Sequence, residues 1–102
     1  MTVRPPARFS AARDLEPTAL EHEVLGEKAA SLGRSGRRVE ETLAALAACP
    51  KDDAARPPLL RDAVETVYYY LIQRELCGLR DHRPVIDHYQ IPAEVLSRLG
   101  AT

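Results

Sequence analysis

A chain of 102 residues with a formal net charge of −1 has the length of one modest domain and too little charge for electrostatics to select its partner. Arg4, Arg8 and Arg13 crowd the start with no acid among them, so residues 14–102 hold 11 basic against 15 acidic residues, a net of −4. A body with that balance is not equipped for phosphate-dominated nucleic-acid binding, and no nucleic-acid partner is expected.

Residues 1–16 contain Pro5 and Pro6 and show no usable period. They read as an irregular arm, partly docked through Phe9, with residues 17–102 forming a single helical domain. The arm has no apolar core of a signal peptide, and no run of the chain reaches the roughly 20 apolar residues needed to span a bilayer. A cytoplasmic location is therefore expected, with no membrane partner.

The first helix should begin near Pro17 and Thr18 and end at Cys49, because Pro50 cannot continue it. Thr18 and Glu21 have the S/T-x-x-E form of a capping box, in which each side chain satisfies a free amide of the first turn. Leu25, Ala29, Leu32, Gly36, Val39, Leu43 and Leu46 then recur at alternating spacings of 4 and 3, the seam of a helix that lies against another. Gly33 and Gly36 offer a competing reading, a turn that splits the segment into a hairpin. Each glycine costs about 1 kcal/mol relative to alanine within a helix. A turn would have no reason to keep the heptad phase, however, so one continuous helix is expected. Gly26, Ala29 and Ala30 add to a low-relief flank where a second helix backbone can approach.

Lys51 to Arg56 reads as a polar connector, and Pro57-Pro58 suits the first turn of a second helix running to Cys77, antiparallel to the first. Leu60, Val64, Val67 and Leu71 form its apolar stripe. The segment from Val67 to Ile72 would also make a good strand, but its flanks are helical and a lone strand would have no partner. Gly78 is placed as a left-handed C′ residue, followed by Leu79. Two short helices follow, Pro84 to about Tyr89 and Pro92 to Leu99, stopping at Gly100. Their inward residues are Ile86, Tyr89, Val95, Leu96 and Leu99.

The fold class is therefore all-α: two long antiparallel helices and two short ones. At 1.5 Å per residue the first helix should run about 46 Å and the second about 31 Å, leaving Leu20, Val24 and Leu25 uncovered. Tyr68, Tyr69 and Tyr70 point in three directions about 100° apart, which one hairpin cannot shelter. A two-fold pair completing a four-helix bundle solves both problems; a compact monomer with exposed tyrosines is the rival reading.

Functional residue types concentrate between Gln73 and Arg83. A ligand-binding or catalytic reading takes His82 as a base oriented by Asp81, with Arg74 or Arg80 holding an anion and Glu75 nearby. A structural reading is more economical. Arg80 and Arg83 meet the carbonyls at a helix end, Asp81 or His82 caps the next helix, and Glu75 pairs with Arg74 or Arg80. Cys49 and Cys77 have no metal-ligand spacing and are expected to behave as small buried hydrophobes. His82 and His88, six apart, fall on different faces, and His22 beside Glu23 and Glu27 lacks the Glu-x-x-His pattern, so no metal or cofactor is expected. Gly-rich phosphate loops, nucleophile elbows, H-E-x-x-H and C-x-x-C are all missing. The last two helices offer a helix-turn-helix outline, but the second carries only Arg98 and includes Glu94.

The run from Gln73 to Gly100, QRELCGLRDHRPVIDHYQIPAEVLSRLG, together with Val24 to Leu46, resembles a family of short uncharacterised bacterial proteins. Its marker is Q-R-E-x-C-G-L-R-D-H, and the likeness extends from about Leu15 onward. The resemblance implies a bacterial cytoplasmic protein and brings no activity with it. The functional expectation is thus a small non-catalytic interaction or scaffold protein, a homodimer with an unknown protein partner. The alternative is a small-ligand binder or enzyme using Arg74, Glu75, Arg80, Asp81 and His82.

Overall fold

A computed structural model of the chain describes residues 18–100. The irregular arm, its Phe9 and the boundary near residue 16 lie outside the described residues. Four helices follow in order: α1 (Ala19–Ala47), α2 (Arg56–Leu76), α3 (Arg83–Tyr89) and α4 (Ala93–Leu99). Among the described residues there is no strand, so the segment around Tyr69 is helical, as its flanks required. No helix among them is long and apolar enough to cross a membrane.

The capping box forms as its spacing predicts. Thr18 N–H donates to Glu21 Oε1 at 2.7 Å, and Glu21 N–H donates to Thr18 Oγ1 at 3.1 Å. From there α1 is unbroken through Gly33 and Gly36. The described residues divide into two compact units, 18–30 and 31–100. In the first, every described residue is exposed, including Leu20, Val24 and Leu25. The apolar seam therefore differs from its predicted extent: Leu25 and Ala29 are exposed, and the seam positions are sheltered only from Leu32 onward.

Within the second unit the contacts between α1 and α2 step in opposite directions along the two helices. Ser31 and Ser35 meet Gln73, Gly36 faces Tyr70, and Thr42 meets Thr66. The pair is antiparallel. Its core holds Val39, Leu46, Leu60, Ala63, Val67, Val85, Ile91 and Val95, drawn from all four helices and the turn before α4. Leu46, Val39, Val67 and Val95 are fully buried, each contributing about 1.5–3 kcal/mol by leaving water.

Gly36 shows why the helix accepts a glycine. A Cβ there would lie 2.6 Å from Tyr89 Oη of α3, so the missing side chain makes room for a tyrosine. That occupant differs from the predicted helix backbone. Tyr89 also meets Tyr70 edge-on, with ring centroids 5.8 Å apart. Gly33 has no such constraint, since a Cβ there would meet only Arg37 Nη1, at 3.9 Å.

The end of α2 follows from Gly78, whose φ of 88° is left-handed. Gly78 N–H donates to Glu75 O and Leu79 N–H to Arg74 O, both at 2.9 Å, which satisfies two carbonyls that the helix leaves free. Helix α3 ends on another left-handed residue, Gln90 at φ 51°. The cysteines are both free thiols, Cys49 half-buried and Cys77 exposed. The expectation of a buried Cys77 fails because it sits just past the end of α2, beside exposed Leu76.

Candidate functional site

The five residues singled out in the sequence gather where α2 hands over to α3. Gly78 reverses the chain, so residues on the last turn of α2 come back alongside those that open α3. His82 Nε2 lies 2.9 Å from Glu75 Oε2. Arg74 Nη2 donates to the Asp81 carbonyl at 3.2 Å. Asp81 does not reach Arg74 through its carboxylate. It accepts instead from Arg83: from the backbone N–H at 3.1 Å, and from Nε and Nη2 at 3.0 Å each. Arg80 is exposed and has no hydrogen bond or ion pair among the described residues.

Two details depart from the predicted pairing. Glu75 takes His82 rather than Arg74 or Arg80, because the reversal at Gly78 sets His82 over the last turn of α2. His82 is the residue preceding α3, yet its side chain makes no capping bond; Asp81 supplies the acceptor for the first amide. The Arg83 side chain and its backbone N–H hold the Asp81 carboxyl below its ordinary range, and Asp81 in turn raises Arg83. Two side-chain nitrogens in the cluster, Arg74 Nε and His82 Nδ1, are buried and have no hydrogen-bond partner. The cluster is thus largely self-neutralising: its carboxylates accept from its own cations and imidazole.

The other end of α2 carries a polar junction that sequence reasoning passed over. Arg56, placed in the connector, is instead the first residue of α2 and is buried. Its Nη1 donates to Leu46 O at 3.2 Å and to Cys49 O at 2.9 Å, while Nη2 pairs with Glu94 of α4. A cation is disfavoured at a helix N-terminus and favoured at a C-terminus. Arg56 resolves this by folding back onto the carbonyls at the end of α1. A signal was present: a lone arginine before Pro57-Pro58, with no acid in that first turn, must find its counter-charge elsewhere.

A third polar line runs between α1 and α2. Ser35 Oγ donates to Gln73 Oε1, Gln73 Nε2 donates to Ser31 Oγ at 3.0 Å, and the hydroxyls of Thr42 and Thr66 are 2.7 Å apart. Beside it opens a groove of about 490 Å³ lined by Arg34, Ser35 and Arg38 of α1 and by Glu65, Thr66, Tyr68 and Tyr69 of α2. Tyr68 is 49% exposed and Tyr69 60%.

Among the described residues no group of three or more His, Cys, Asp or Glu side chains is placed to hold a metal ion. No curated protein and no solved structure matches the chain. A family model matches residues 3–102, a longer stretch than the likeness from Leu15 onward, and the chain belongs to that family of unknown function, DUF6665.

Proposed function

We propose that this chain is a small non-catalytic interaction protein of the bacterial cytoplasm, working as a homodimeric helical bundle that offers its surface to a protein partner. One observation carries the reading: Tyr68 and Tyr69 stand exposed on α2, the helix whose opposite side supplies Leu60, Ala63 and Val67 to the core. Aromatic side chains with an apolar body and a polar tip are the residue types that protein interfaces favour. Leu76, 78% exposed, adds apolar surface on the same helix. The free thiols of Cys49 and Cys77 suit a reducing compartment.

The cluster at Arg74, Glu75, Asp81 and His82 supports a structural role over a catalytic one, because both its carboxylates are engaged, Glu75 by His82 and Asp81 by Arg83. Replacing Asp81 and His82 separately by alanine should lower the melting temperature. A ligand screen that raises the melting temperature of the parent chain, and loses that effect in His82→Ala, would return the ligand-binding reading. The pairing itself is tested by light scattering during size exclusion at micromolar concentration. Twice 11.3 kDa is expected, and 11.3 kDa refutes the homodimer.

A further inference from the structure

We infer that the groove between Arg34, Arg38, Glu65, Tyr68 and Tyr69 is the surface on which a second copy of this chain docks, an inference that rests on the homodimer proposed above. The starting point is that the α1–α2 pair is closed on one side only. Val39 and Leu46 of α1 and Leu60, Ala63 and Val67 of α2 meet Val85, Ile91 and Val95 there. The groove side ends in solvent.

A surface that binds its own copy across a two-fold axis must be complementary to itself, carrying both charge signs in positions that the axis brings together. This one meets the requirement. Its α1 wall bears Arg34 and Arg38, with Glu41 loosely paired to Arg38 at 3.5 Å, for a net of +1. Its α2 wall bears Glu65 and, one turn earlier on the same helix flank, exposed Asp62 and Arg61, for a net of −1. Tyr69 lines the same groove as both arginines.

The charges also select the orientation. A two-fold axis perpendicular to the helices would lay α1 on α1, bringing two basic walls together. An axis parallel to them lays α1 of each copy on α2 of the other. Arg38 of one copy then faces Tyr69 and Glu65 of its partner, twice over, with a guanidinium above an aromatic face and beside a carboxylate. The polar line of Ser35, Gln73, Thr42 and Thr66 lies beneath this contact and stays satisfied within each copy.

The test is a charge exchange in the full chain, read by light scattering and sedimentation. Arg38→Glu sets a carboxylate against the partner's Glu65, and Glu65→Arg sets a guanidinium against the partner's Arg38. Each variant alone should weaken pairing at least about tenfold. Mixing the two should restore the doubled mass, since every contact in the mixed pair joins opposite charges. Circular dichroism equal to the parent's shows that both exposed substitutions leave the fold intact, and a misfolded variant would give no rescue on mixing. If the parent is doubled and both variants stay doubled, this surface is wrong while the homodimer stands. Mixed variants that remain single overturn the Arg38 to Glu65 pairing. A parent that is itself 11.3 kDa at every concentration overturns the homodimer and this surface together.

Discussion

The two sides of the α1–α2 pair are made from the same helices and reach opposite ends of the polarity scale. On the closed side Val39, Ala63, Val67 and Val95 are fully buried, and α3 and α4 lie over them. On the open side hydroxyls and an amide line the seam, and arginines, a glutamate and two tyrosines form the rim. Packing to crystal-like density makes the closed side intolerant of volume changes, whereas an open rim tolerates nearly any side chain that leaves the seam alone. Stability should therefore be concentrated on one side and recognition on the other.

The largest effect belongs to the closed side's buried charge. Arg56→Ala strips the carbonyls of Leu46 and Cys49 of their donor and leaves Glu94 half-buried without its partner. We expect a loss of about 3–5 kcal/mol by urea unfolding. A loss below that of an ordinary surface substitution would mean the junction is not what ties α4 to the end of α1.

A smaller contrast comes from the glycines of α1. Gly36→Ala pushes a methyl group into Tyr89 Oη and should cost about 1–3 kcal/mol, while Gly33→Ala enters open space and should stabilise by up to about 1 kcal/mol. Equal effects at the two positions would erase the distinction between the packed and open sides of this helix.

Smaller again is an alkaline dependence at Tyr89. Burial, with help from the Tyr70 hydroxyl, pushes its phenol up to about 12, so the folded state holds the proton more tightly than the unfolded chain. The resulting stabilisation is complete below pH 10 and is lost as pH rises toward 12. The stability advantage of the parent over Tyr89→Phe should shrink across that window, and an unchanged difference would contradict the packed position of the hydroxyl. The smallest effect is at Asp81, exposed and held low by Arg83. Its contribution is present above the ordinary carboxylate range and disappears as pH falls through its lowered value, so Asp81→Asn should differ from the parent least in acid.

Most of the helical plan was legible in the sequence because it is written in local chemistry. Thr18 and Glu21, Pro57-Pro58 and Gly78 each mark a helix end through a backbone need that neighbouring residues satisfy. The heptad phase carried α1 through its glycines for the same reason. The partners of charges were not legible, since they are fixed by where the chain returns. Arg56 and Glu94 are 38 positions apart, and Glu75 meets His82 only after Gly78 has turned the backbone. For the candidate cluster, residue types at Arg74, Glu75, Arg80, Asp81 and His82 were readable, but whether they faced a ligand or one another was a question of distance. The open groove was equally hidden, because Arg38 and Glu65 share it only once α1 and α2 are set side by side.

Sedimentation velocity of the unmodified chain beside Leu46→Ala and Tyr69→Arg, across micromolar concentrations, tests the division between the two sides most directly. The parent should carry twice 11.3 kDa, Tyr69→Arg should keep the parent's helix content but run as a single chain, and Leu46→Ala should lose about 2–5 kcal/mol of stability through the core. A parent that sediments as one 11.3 kDa species throughout, or a Tyr69→Arg chain that stays doubled, would contradict the assignment of recognition to the open side.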